Sequence, residues 1–157
     1  MTRFYDIDAA NAAVPELDGI VGVLAEQRAE LVRLRDEVLA AGTSAGDGAT
    51  TAVADRSNRP AAESSGETQA ADPPIVDDLR LTRLRMQGLI DQMAAGVARI
   101  DGLGLTLRDI EHGLVDFPAL VAGRQVWLCW QRGEPAIGFW DDLETGFSGR
   151  RPLAELA

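Results

Sequence analysis

The chain has 157 residues and a net charge of −10, from 15 basic and 25 acidic side chains. That length suits one domain of ordinary size, and the acidic balance argues against binding phosphate backbones, so no nucleic-acid partner is expected. A single cysteine excludes a disulfide framework and a multi-thiolate metal site, while no apolar run reaches the roughly 18 residues of a membrane span.

No basic start followed by an apolar run marks a secretory leader, so the expected location is the cytoplasm, without membrane association. Hydrophobic residues make up 46% of the chain but aromatics only 5%, and nearly all of the aromatics lie in the last third. The core is therefore expected to be aliphatic early and aromatic late.

The first predicted element is a helix over 6–41. Asp6 or Asp8 can cap its start, and Pro15 inside the pattern predicts a kink or a short preceding turn. Ala10, Leu17, Leu24, Leu31 and Val38 recur every seventh residue, with Ala13, Ile20 and Leu34 at the complementary positions and Gln27 interrupting them. That is the a/d seam of a coiled coil. Glu30 and Arg33 can pair at i,i+3, and Gly42 is the expected stop.

Residues 43–75 change character. They are Ala, Gly, Ser, Thr, Asp, Glu and Pro with almost no large apolar side chains. Such a segment buries too little surface to offset its ordering entropy, so it is expected to be a disordered connector. A second helix is predicted over 77–101. Leu79, Met86, Met93 and Ile100 form its seam, with Leu89 and Leu103 at the complementary positions and Ile90 and Val97 widening the stripe. Arg80, Arg83 and Arg85 oppose the macrodipole near its start, which predicts pairing with acids of the first helix. Gly102 and Gly104 end it. Two seams in one chain imply an antiparallel hairpin, and its thin core implies either a second hairpin or a sheet laid against it.

From residue 105 the period becomes two. Leu105 and Leu107 alternate with Thr106 and Arg108, a turn at 111–113 follows, and residues 114–117 form a strand before Pro118. Residues 124–131 form the clearest strand, with Val126, Leu128 and Trp130 on one face and Trp127 and Cys129 on the other. With both faces apolar, this strand is expected to be central and covered on both sides. A turn at 132–135 leads to a returning strand over 136–140, and the remainder to 152 reads as loop. The fold class is α+β: one domain over 1–157, a long helical hairpin followed by a small antiparallel sheet at 105–152.

Several pieces of the chain together resemble the bacterial uncharacterised family DUF2203. They are Ala10-Asn11-Ala12 with Pro15-Glu16-Leu17, then Gly113-Leu114-Val115-Asp116-Phe117-Pro118, Leu128-Cys129-Trp130, Gly133-Glu134, Gly146-Phe147 and Gly149-Arg150-Arg151-Pro152. The resemblance spans nearly the whole chain except the connector, which looks like an insertion. It implies no activity. It does imply a histidine after the tryptophan of the returning strand, where this chain has Asp141 and Asp142.

The candidate site residues are Asp116, Arg124, Trp130, Glu134, Trp140, Asp141, Arg150 and Arg151. Asp116 lies in an apolar run and needs a partner, with Arg124, Arg150 or Arg151 available. The alternative is a polar pocket walled by Trp130 and Trp140, with Asp116 and Arg151 turned to a ligand. Arg150 and Arg151 suit a carboxylate. Asp141, Asp142 and Glu144 could gather a divalent cation, although loop acids are ordinarily just solvated. Cys129, mid-strand and apolar on both sides, reads as packing rather than nucleophile. His112, the only histidine, reads as an exposed turn residue. Neither a cofactor nor a reaction follows from these residues. The leading functional expectation is a scaffold that self-associates or holds a protein partner through the hairpin; the alternative is a small-molecule or divalent-metal-binding protein with its site in the sheet.

Overall fold

The computed structural model describes residues 1–46 and 74–156. Helix α1 spans Ile7–Gly46 and α2 spans Pro74–Gly102, followed by strands β1 (Thr106–Asp109), β2 (Leu114–Val121), β3 (Arg124–Gln131), β4 (Phe139–Asp142) and β5 (Arg151–Pro152). The strands form one antiparallel sheet in the order β1-β2-β3-β4-β5. The α+β class and the helices-then-sheet order are as expected. The connector expectation lies, over 47–73, outside the described residues.

Asp6 caps α1, its Oδ1 accepting the Ala9 N–H at 2.7 Å. Pro15 is carried within the helix, so α1 needs no separate preceding turn. Gly42 does not stop the helix, which runs on to Gly46. Its φ is not positive, so no left-handed cap forms, and the Thr43 hydroxyl donates to the Ala40 carbonyl at 2.8 Å instead. The second helix begins at Pro74 rather than at 77, because proline at a first helical position loses no hydrogen bond there.

Side chains from the two helices pair across the hairpin. Gln27, which breaks the first seam, donates to Gln92 at 3.2 Å, and Arg85 pairs with Glu30. The helices pack tightly at Gly96, where a Cβ would stand 2.8 Å from Leu24 Cδ2. Ile90 does not widen the α2 stripe; it is exposed.

One face of the sheet packs on the first half of α1 and the end of α2. Ala10, Val14, Leu17, Ile20, Val21 and Leu24 meet Val115, Phe117, Val126, Leu128, Trp130 and Trp140, with Ile100 and Leu105 closing the junction. The N-terminal residues join this core. Tyr5 sets its ring edge-on to Phe117 at 5.2 Å and donates its backbone N–H to the Pro118 carbonyl at 2.8 Å. That contact explains why Pro118 sits inside β2 rather than ending it. The N–H it lacks would point away from β3, toward the edge where Tyr5 approaches.

Two sheet expectations are corrected. The returning strand is Phe139–Asp142 rather than 136–140. The tail is not all loop, since Arg151 and Pro152 add a fifth strand against Phe139 and Trp140. The central place expected for β3 holds: the core helices take one face, and Cys129 is buried on the other beside Asp116 and Asp141.

Two turns make specific demands. Gly113 has φ 67°, and a Cβ there would lie 2.5 Å from Arg132 Cβ and 3.0 Å from Val21 Cγ1. Ala122 and Gly123 close the β2–β3 hairpin with φ of 51° and 77°, the mirror-image turn that favours Asn-Gly. Gly113→Ala is therefore expected to cost about 2–4 kcal/mol, strain and overlap together. Ala122→Asn is expected to add about 1 kcal/mol by relieving the left-handed alanine. Urea unfolding of both variants beside the parent measures the two shifts, which should have opposite signs.

Candidate functional site

Alternation along the strands sends one set of side chains into the core and the other to the outer face. Thr106, Asp116 and Cys129 lie side by side there across β1, β2 and β3, since Asp116 is opposite both Thr106 and Cys129. On β4, Phe139 is opposite Cys129 and Asp141 is opposite Trp127, so Asp141 reaches Cys129 on the diagonal. One donor atom from each of Asp116, Cys129 and Asp141 lies within 4.8 Å of the others. All three residues are buried, at 4%, 0% and 1% exposure.

The polar contacts in this cluster are few. Arg108 Nε donates to Asp116 Oδ2 at 2.6 Å, and the guanidinium lies 5.2 Å from the centre of the Trp127 ring. The Cys129 thiol donates to Asp141 Oδ2 at 3.4 Å. Among the described residues Asp141 Oδ1 has no hydrogen-bond partner. Burial pushes the Cys129 thiol well above its usual range, and the charges of Asp116 and Asp141 push it further. Burial also raises the Asp141 carboxyl, against the opposing pull of the thiol's hydrogen bond. Cys129 is thus a protonated donor held between carboxylates, the opposite of an activated nucleophile.

The other expected site residues sit elsewhere. Glu134 binds Arg150 at 2.7 Å, accepts the Gln131 N–H at 2.8 Å, and offers its carbonyl to Trp130 Nε1 at 2.9 Å. This clamps the β3–β4 connection. Arg150 also lies 3.9 Å from the centre of the Phe139 ring. Trp130 and Trp140 face the core, away from Asp116, so they do not wall a pocket with it. Trp140 is flanked by Arg151 and Arg124, whose guanidinium carbons are 5.4 and 6.0 Å from its ring centre. Arg124 approaches Asp142 at 3.9 Å. Asp142 takes the face of β4 opposite to Asp141, and Glu144 is exposed beyond it, so these three acids do not converge.

Asp116 therefore has an arginine partner, but it is Arg108 and not Arg124, Arg150 or Arg151. Arg108 was legible as an outward residue of a short strand; the register that brings it to Asp116 was not. Cys129, read as packing, proves to lie at the centre of the polar cluster.

The model of an uncharacterised conserved protein family, DUF2203, matches residues 3–153. The chain belongs to the DUF2203 family. Neither the curated proteins nor the solved structures searched contain a match to it. Within this DUF2203 chain the residue after Trp140, where histidine was expected, is one of the three clustered donors.

His112 is exposed and bonds Asp109 through Nδ1 at 2.8 Å. The carboxylate raises the imidazole above its ordinary 6.5, with Glu111 assisting and Arg28 opposing. Conversely, the imidazole lowers the Asp109 carboxyl below its ordinary 3.8. A raised histidine contributes stability below its unfolded pKa and loses it as pH rises through the folded one. The lowered aspartate contributes above its unfolded pKa and loses that contribution on acidification through the folded one. Asp109→Asn is expected to return the NMR titration midpoint of the His112 ring toward 6.5. Separately, Cys129 should resist iodoacetamide at neutral pH in the native chain and react readily in denaturant. Fast native alkylation would contradict the burial described for it.

Proposed function

We propose that the protein is a non-enzymatic scaffold that self-associates through the far half of its helical hairpin. The observation that supports this reading is a row of large apolar side chains left outside on that arm. Leu81 and Leu84, one turn apart on α2, are 65% and 64% exposed, and Leu39 on α1 is 60% exposed. The shared core of helices and sheet ends near Leu24 on α1 and Met93 on α2. Beyond it Leu34 and Leu89 are buried in a seam separate from that core.

An isolated helical pair buries one stripe of each helix and leaves the flanks wet. Packing two such arms antiparallel would complete a four-helix bundle with knobs-into-holes contacts and cover Leu81 and Leu84. The partner proposed is a second copy of this chain. The setting proposed is the cytoplasm, where a lone cysteine needs no oxidising partner. Among the described residues no helix is long and apolar enough to cross a membrane.

Light scattering during size exclusion should give twice the 16.8 kDa chain mass at micromolar concentration. Leu81→Glu combined with Leu84→Glu should return it to a folded single chain. A parent chain that stays single up to hundreds of micromolar would refute the assembly.

A further inference from the structure

We propose that Asp116, Cys129 and Asp141 bind one divalent cation of the zinc class on the outer face of the sheet. The site is independent of the helical arm. Three donors from three adjacent strands already converge, and each is held by a backbone ladder rather than by a loop.

A buried acid cluster alone would not point to a ligand, because carboxylates can be satisfied by arginines. Here the accounting leaves one group over. Arg108 satisfies Asp116 through Oδ2. Asp141, at 1% exposure, receives among the described residues only a thiol at 3.4 Å, and its Oδ1 has no hydrogen-bond partner among them. A carboxylate stripped of water and given one weak donor is costly, by several kcal/mol. A cation between the three residues supplies what Asp141 lacks.

The donor set selects the class of ion. Calcium takes six to eight oxygens and magnesium a near-ideal octahedron rich in water, and neither favours sulfur. A thiolate with two carboxylates suits a borderline-soft ion with a small, roughly tetrahedral shell. Around such an ion, donors about 2.0–2.3 Å from the metal lie roughly 3.3–3.8 Å apart. The Cys129–Asp141 separation of 3.4 Å already fits, so closure requires the third donor to draw in from within 4.8 Å.

Charge balance also gives Arg108 a place. Two carboxylates and one thiolate carry three negative charges, the cation two positive and Arg108 one, so the loaded cluster is neutral. Arg108 can remain on Asp116 Oδ2 as an outer partner that fixes the carboxylate. Coordination replaces the S–H bond of Cys129 by a metal–sulfur bond, and the thiol proton leaves to solvent. Three protein donors leave a fourth position for water or a further ligand.

The test uses the full-length chain, stripped with a chelator and titrated with Zn2+ and, separately, Co2+. The expected result is one equivalent bound per chain, a sulfur-to-cobalt charge-transfer band, and release of the thiol proton in weakly buffered calorimetry. Asp141→Asn and Cys129→Ser should each weaken binding by at least about 100-fold. Asp142→Asn, on the other face of β4, should leave it unchanged. Circular dichroism confirms that the variants fold, and if either does not, the cobalt spectrum of the parent chain still decides whether sulfur is a ligand. The proposal is overturned by no zinc or cobalt binding at micromolar concentration, by a cobalt spectrum without sulfur charge transfer, or by folded variants that bind as the parent does.

Discussion

The packing of one sheet face on the first half of α1 is the constraint from which the rest follows. Phe117, Leu128 and Trp130, at 0–1% exposure, press against Leu17, Val21 and Leu24, themselves at 0–1%. Burying large aliphatic and aromatic side chains contributes about 1.5–3 kcal/mol each, so this face cannot slip by one residue. Once Val115 and Phe117 turn inward, Asp116 must turn outward. Once Leu128 and Trp130 turn inward, Cys129 follows Asp116, and Trp140 sends Asp141 the same way. The polar cluster is thus placed by the hydrophobic core on the other side of the sheet.

The cluster on the outer face of the sheet is buried. Asp116 and Cys129 are enclosed by neighbours such as Arg108 and Trp127, whose planar groups lie 5.2 Å apart. A cation over an aromatic face is a polar cover that leaves its own edge in water. The stacking helps a small sheet to bury its two acids. The arginine comes from the edge strand β1, which pairs with β2 on the side away from β3.

The helical pair divides into two parts with different energetics. Near the sheet, helices and strands share a core, and the close contact of Gly96 with Leu24 brings the helix axes together. Farther out, the seam narrows to residues such as Leu34 and Leu89, and polar contacts such as Gln27 with Gln92 and Glu30 with Arg85 carry the register. Exposed ion pairs of that kind contribute little, about 0–1 kcal/mol. The arm therefore leans on its apolar stripe, and Leu39, Leu81 and Leu84 remain outside on it.

Much of this architecture was legible in the order of residues. Sevenfold spacing determined the two helices and their facing stripes, and the change to a period of two after residue 105 determined the sheet and the inward set on β3. Those are local patterns, read from neighbours along the chain. Gly42 and Pro118 misled, because whether a glycine stops a helix or a proline ends a strand depends on what approaches that backbone. Only the tertiary structure decided that Arg108 meets Asp116 and that Cys129 lies between two acids. Each of those pairs joins different strands, and their register is set by long-range packing that no local spacing encodes.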